Sequence, residues 1–260
     1  MLDISIDNVS KTWVAADERE VVALDGVNFK VPSGGFCCIV GPSGSGKSTL
    51  FDVIAGLAPA DRGQVVVGGK PVSGPGADRG VVFQGQSLFP WRSVQGNVEF
   101  GLAAQGRGRA ERKKIAKSFI DLVGLTGFEN ALPSTLSGGM YQRVAVARSL
   151  ATSPDVLLMD EPFGALDAQS REAMQAELIR IWQSQGTTIL FITHSVQEAV
   201  FLSDKIVVMS SRPGRVAANI DVTLPRPRDR TSAEFGHVMR EVYAHLTSNT
   251  KAEIGVAASL

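Results

Sequence analysis

Gly41-Pro42-Ser43-Gly44-Ser45-Gly46-Lys47-Ser48-Thr49 fits the pattern G-x-x-x-x-G-K-[ST]. Phe36-Cys37-Cys38-Ile39-Val40 precedes it, a short apolar run that reads as a buried strand. Leu50, Val53, Ile54 and Leu57 follow it at helical spacing, so they share one face of a helix. A glycine-rich loop between a strand and a helix is a phosphate cradle. The glycines let backbone N–H groups turn inward, and the helix aims its positive end at the same point. Lys47 is expected to reach the β- and γ-phosphates and Ser48 to offer its hydroxyl to Mg²⁺. Residues Gly41 to Thr49 are therefore expected to bind ATP or GTP.

The rest of the chain sets bounds on what surrounds this loop. Its 260 residues suffice for one large domain or two small ones and for a proper core, with 44% apolar and 20% charged residues. The 26 basic and 26 acidic residues balance, so no global field draws it to nucleic acid or an anionic membrane. No apolar run is long enough to span a bilayer. Met1 to Asp7 alternates like a strand and lacks the features of a signal peptide. Cys37 and Cys38 are adjacent in the strand before the loop, which suits small buried apolar residues rather than a disulfide or metal site. A cytoplasmic protein is expected.

Along the chain, residues 1 to 35 alternate as short strands, with Asp17 to Glu20 as a polar hairpin tip. Gln64 to Val67 begins a second strand-and-turn patch, so a small antiparallel sheet is expected beside the nucleotide core. Val81-Val82-Phe83 reads as a core strand ending at Gln84. From about residue 93 to 150 the periodicity turns helical, through Val94, Val98 and Leu102, then Ile115, Phe119, Ile120 and Val123. The basic run Arg107 to Lys114 reads as a solvated loop and helix start rather than a nucleic-acid patch, since no aromatics interleave it. Strand and helix alternate again from Val156, with a helix stop at Gly186 and strands at Thr187 to Ile192 and Ile206 to Met209. A Pro/Arg-rich stretch begins at Pro225, a helix is expected around Val238 to Leu246, and the last ten residues read as frayed.

Three strand ends carry polar groups, where open parallel sheets place ligands. Asp160 ends one and is suited to hold Mg²⁺, directly or through water. Glu161 beside it can act as general base on an attacking water. Gln84 ends another, and its amide can touch the metal or the water. His194 ends a third, and an imidazole there can bond the γ-phosphate. Leu136-Ser137-Gly138-Gly139-Met140-Tyr141-Gln142 then opens a helix, with Ser137 as N-cap and Gly138 and Gly139 leaving its first amides bare. That is a second anion-binding helix start.

The full set resembles the ATP-binding cassette (ABC) ATPases over nearly the whole chain: Walker A at Gly41 to Thr49, the Q-loop at Gln84, the signature at Leu136 to Gln142, Walker B at Val156 to Glu161, the D-loop at Gly164-Ala165-Leu166-Asp167 and the H-loop at His194. The resemblance implies an α/β P-loop NTPase fold, with a mostly parallel core sheet, an antiparallel β subdomain and an inserted α-helical subdomain. Residues 1–92 and 152–230 would form the core, 93–151 the helical subdomain and 231–260 a C-terminal helical tail. It also implies a head-to-tail dimer, in which ATP lies between the P-loop of one copy and Ser137-Gly138-Gly139 of the other, with Asp167 communicating across the interface. Trp13 matches the family's adenine-stacking aromatic, usually Tyr; a core or surface tryptophan is the alternative. His194 is followed by Ser195 where many members have Asp, and Tyr141 stands where Gln or Arg is more usual. Neither change removes a group that hydrolysis needs.

Gly85 to Val98 looks like the L-x-P-W-x-x-V-x-x-N-V stretch of the nitrate, taurine and aliphatic-sulfonate importers, and Gly74 to Gly80, Arg212-Pro213-Gly214-Arg215 and Leu224 to Arg228 match the same group. The resemblance implies an importer ATPase on the cytoplasmic face of the inner membrane. Its partners would be a separate permease and, indirectly, a solute-binding protein, with an organic sulfonate such as taurine as the foremost solute. Phe89 and Trp91 could line the permease groove; core packing is the alternative for Trp91. A cassette that remodels a macromolecular complex is the rival reading.

Overall fold

The computed structural model describes residues 1–15, 17–85 and 87–257, with side chains as far as residue 247. Gln86 of the importer-like stretch lies outside the described residues. The chain forms two units, residues 1–76 with 188–260, and residues 77–187. In chain order the first unit begins with β1 (Ile4–Val14), β2 (Glu20–Val31), β3 (Phe36–Val40), α1 (Lys47–Ala55), β4 (Arg62–Val67) and β5 (Lys70–Pro71). The second unit holds β6 (Arg79–Val82), α2 (Val94–Ala104), α3 (Arg109–Leu122), α4 (Gly138–Ala151), β7 (Val156–Asp160) and α5 (Ala168–Gln185). The first resumes with β8 (Thr188–Ile192), α6 (Val196–Leu202), β9 (Lys205–Met209), β10 (Val216–Asp221) and α7 (Ala233–Ala257). Residues 258–260, the end of the stretch read as frayed, lie outside the described residues, and α7 runs through 251–257.

In the first unit, β2-β1-β4-β5 form the expected antiparallel sheet. Beside it, β3 pairs in parallel with β8 and β9, and β10 closes against β9 in antiparallel sense. Every residue of β3 and β8 is buried, which is why both read as unbroken apolar runs rather than alternating ones. Cys37 and Cys38 are both reduced and fully buried, and burial pushes the Cys37 thiol up to about 12, so it stays protonated and inert. In α1, Leu50 and Ile54 are fully buried, each contributing about 2 kcal/mol of apolar transfer. Leu57 departs from that face: α1 ends at Ala55 with Gly56 as its left-handed cap, and Leu57 lies beyond it, 49% exposed.

The Pro/Arg-rich stretch is a helix clamp. Arg228 is buried, and its Nη1 donates to the carbonyls of Val200, Phe201 and Ser203 while Nη2 donates to Val222 and Nε to Leu224. Arg226 adds a bond to the Leu202 carbonyl and an ion pair with Asp204. The last turn of α6, whose carbonyls have no partner within the helix, is thereby satisfied. Burial pulls the Arg228 guanidinium down to about 10, still charged at neutral pH. Arg228→Ala strands these acceptors and is expected to lower stability by about 3 kcal/mol in urea unfolding, the scale of charged hydrogen bonds lost from a buried site.

In the second unit, β6 and β7 run in parallel and in register, Val81 opposite Leu158 and Val82 opposite Met159. Helices α2, α3 and α4 occupy the stretch whose periodicity turned helical, and pack on one another through Val98, Leu102, Ala116, Ile120 and Val144, all fully buried. α5 ends at Gly186, as its sequence predicts, with φ 69°.

Candidate nucleotide site

The P-loop lies in the first unit. Lys47 Nζ donates to the carbonyls of Gly41 and Pro42, each at 2.8 Å, and to Ser45 Oγ at 3.3 Å, so the lysine ties the loop into a ring. Gly46 has φ 79°, and a Cβ there would stand 2.6 Å from the Ala23 carbonyl of β2. Only glycine satisfies both the turn and the close packing. Trp13, near the end of β1, donates its indole N–H to Thr49 Oγ1 at 3.2 Å, and Lys11 Nζ stands 5.0 Å from its ring centroid. The ring is 43% exposed, which places it on the surface rather than in the core. A cavity of about 280 Å³ is lined by Trp13, Val21, Ala23, Lys47, Ser48, Thr49 and Arg212, with Gly44 and Gly46 at its edge. Its lining includes Trp13 and the Thr49 that Trp13 bonds; its cations are Lys47 and Arg212.

His194 is also in this unit, exposed and held through its neighbours. Thr193 N donates to the Ile39 carbonyl of β3. Ser195 caps α6 by accepting from Glu198 N at 3.3 Å, and Ser195 N donates to Thr193 Oγ1 at 3.0 Å. The Thr193 hydroxyl donates to the buried Glu198 carboxylate. Ser195 is thus the N-cap where aspartate is more usual, and Thr193 relays between the Ser195 N–H and the Glu198 carboxylate.

The second unit brings together Gln84 and Glu161. The β6–β7 register sets Gln84 and Glu161 at matching heights, each two residues past the Val82–Met159 pair. Gln84 Nε2 donates to Glu161 Oε2 at 2.9 Å. Glu161 has φ 45°, a left-handed conformation that costs a side-chain-bearing residue about 1–3 kcal/mol and is found where function over-determines the backbone. Asp160, at the end of β7, is only 7% exposed, a buried carboxylate of the oxygen-donor type that hard divalent cations take.

The same unit carries the second helix start. Ser137 Oγ accepts from Met140 N at 3.3 Å, the predicted N-cap, and Ser137 and Gly138 are exposed. Sequence reading missed three ties around it. Tyr141 accepts from Leu88 N through its hydroxyl, Gln142 Oε1 accepts from Ala165 N at 2.9 Å, and Arg148 Nη1 donates to the Ser87 carbonyl at 2.8 Å. The signature helix is therefore bonded both to the segment after Gln84 and to Gly164-Ala165-Leu166-Asp167. Asp167 itself caps α5, accepting from Ser170 N at 2.9 Å, and these backbone bonds hold its carboxyl below the usual range. Trp91 is 73% exposed, which corrects the core-packing alternative; Phe89 packs against it and against Phe100, at 5.6 and 4.5 Å between centroids. A cavity of about 570 Å³ opens beside them, lined by Gln84, Leu88, Pro90, Pro133, Leu136, Tyr141 and Ala165, among others.

A strand–loop–helix phosphate cradle, a strand ending in paired carboxylates and a capped glycine-rich helix start define an ATPase of the cassette class. Residues 24–164 match the family described as ABC transporter. The nitrate import ATP-binding protein NrtD of Synechocystis sp. is 51% identical over 234 residues, covering 88% of each chain. The taurine import ATP-binding protein TauB of Rhizobium johnstonii is 47% identical over 253 residues, 94% of this chain and 97% of the relative. Among solved structures, the dimeric post-hydrolysis state of the ATP-binding cassette MJ0796 bound to ADP and Pi matches with a TM-score of 0.78 at 32% identity, covering 85% of this chain and 100% of that one. The chain belongs to the ABC transporter family and is an ATP-binding, ATP-hydrolysing subunit of that kind. No helix among the described residues is long and apolar enough to cross a membrane.

Proposed function

We propose that this ATPase drives an importer, working as a head-to-tail dimer on the cytoplasmic face of the inner membrane beneath a separate permease that a solute-binding protein feeds. The observation that carries the dimer is the exposed start of α4: Ser137 and Gly138 present a helix N-terminus to solvent although the chain already has a complete P-loop. In the dimer that start closes over the phosphates held by Gly41 to Thr49 of the other copy, and Asp167 lies at the junction. One copy alone binds ATP and hydrolyses it poorly, because part of the charge stabilisation comes from its partner. The MJ0796 cassette, whose structure is dimeric and bound to ADP and Pi, supports a dimer.

Within each site Trp13 stacks on adenine, the loop amides and Lys47 hold the phosphates, and Glu161, oriented by Gln84, takes the proton of the attacking water. His194 bonds the γ-phosphate. Ser48, Gln84 and Asp160 supply the oxygen donors that suit Mg²⁺, which neutralises phosphate charge when bound. Residues 1–230 act as the nucleotide-binding domain, with 93–151 as its helical subdomain and 231–260 as a tail. The permease docks at the exposed Trp91 and the half-buried Phe89 that packs on it, which flank Pro90 in the wall of the larger cavity. The nitrate- and taurine-import relatives support an oxoanion-bearing solute, an organic sulfonate such as taurine foremost. The test is ATP hydrolysis by the subunit reconstituted with its permease and binding protein in liposomes. Taurine or nitrate is expected to stimulate it several-fold; hydrolysis indifferent to every oxoanion solute would count against the import role.

A further inference from the structure

The loop between β9 and β10 carries Arg212-Pro213-Gly214-Arg215, to which neither the fold nor the proposed chemistry gives a role. It is built against the P-loop. Gly214 N donates to the Ala23 carbonyl, and Asp25 N donates to the Gly214 carbonyl, each at 3.0 Å. A Cβ on Gly214 would stand 2.2 Å from the Ser45 carbonyl, so only glycine lets this loop lie so close to the cradle. Ser210 Oγ accepts from Arg215 N at 3.1 Å, and Arg215 pairs with Asp25. The loop is thus fixed on both sides of Arg212, yet among the described residues the Arg212 guanidinium forms no hydrogen bond or ion pair. It is exposed and lines the same cavity as Trp13 and Lys47, and its Nε would be 3.3 Å from a Cβ on Gly44. That cavity has two cations in its wall and no carboxylate.

We propose that Arg212 is a further ligand of the nucleotide, donating to its phosphate chain. A fixed loop presenting an unpaired guanidinium to a carboxylate-free cavity is the pattern of anion recognition, and a positive donor strengthens each hydrogen bond to a phosphate oxygen. The inference rests on the P-loop being the ATP site, and it adds a residue from the β9–β10 loop that no P-loop pattern contains.

The test is calorimetric titration of wild type, Lys47→Ala, Arg212→Gln and Arg212→Lys with ATP and with ADP, and competition by adenosine. Arg212→Gln is expected to weaken ATP and ADP by about tenfold, the scale of one charge-assisted hydrogen bond, and to leave adenosine unaffected. Arg212→Lys, which keeps the charge, stays within a few-fold of wild type. Both variants should unfold at the wild-type urea midpoint, since the side chain bonds to nothing in the protein. Wild-type ATP affinity in Arg212→Gln, an equal loss for adenosine, or a lysine variant as weak as the glutamine one would overturn the assignment. Failure of the underlying reading looks different: wild type itself would then not bind ATP, or Lys47→Ala would bind it equally well.

Discussion

Glu161→Gln is expected to bind ATP as tightly as wild type and to lose turnover by about a hundredfold to ten-thousandfold, the range that removing a general base costs. The substitution is nearly isosteric. The amide oxygen it introduces can still accept from Gln84 Nε2, so the 2.9 Å tie between the two strand ends persists and only the proton acceptor is lost. The left-handed backbone at Glu161 is likewise untouched, since glutamine bears the same strain as glutamate there. Binding and hydrolysis should therefore separate: calorimetry is expected to report unchanged affinity, phosphate release to nearly stop, and ATP-bound dimers to accumulate on size exclusion. Wild-type turnover in this variant would remove Glu161 from the chemistry.

Lys47→Ala acts on the other side of the reaction. Its ammonium bonds to three acceptors of its own loop, at 2.8 to 3.3 Å. Alanine removes both the charge and the ring closure. ATP affinity is expected to fall by about a hundredfold or more, in line with charged hydrogen bonds worth ~1.5–3 kcal/mol each. Stability should also fall, by about 1–3 kcal/mol, because Gly41 and Ser45 are buried and their acceptors lose this partner. Equilibrium titration with ATP reads the first effect and urea unfolding the second; unchanged affinity would refute the P-loop assignment.

What could be read from the chain beforehand follows the range of the forces involved. The P-loop, the Ser137 cap and the Gly186 stop are local: each depends on residues within about one helical turn, and each is visible as spacing. The pairing of Gln84 with Glu161 was foreseen as two strand ends but not as a bond, because it needs the β6–β7 register, which no single strand encodes. β10 escaped notice because Val216-Ala217-Ala218-Asn219-Ile220-Asp221 is half-buried and poor in strand-forming residues, and it pairs only because β9 is beside it. Arg228 reads as part of a charged tail; its burial is decided by the carbonyls at the end of α6, more than twenty residues earlier. Tyr141 appears in sequence as a departure from pattern, and only the fold shows its hydroxyl meeting Leu88 N. Arg212 belongs to the same class: the motif was visible, the cavity it faces was not.

The central claim is that each ATP site is shared between two copies, and mixing two disabled variants tests it most directly. Lys47→Ala disables a chain's P-loop, and Ser137→Arg blocks the start of its α4, so each variant alone is expected to be inactive. In a mixed dimer one site combines both defects, and the other joins an intact P-loop to an intact Ser137-Gly138-Gly139. Phosphate release should therefore reappear on mixing, rising with the fraction of mixed dimers. A mixture as inactive as its two components, with mixed dimers shown to be present, would mean that each chain completes its own site, and would contradict the account.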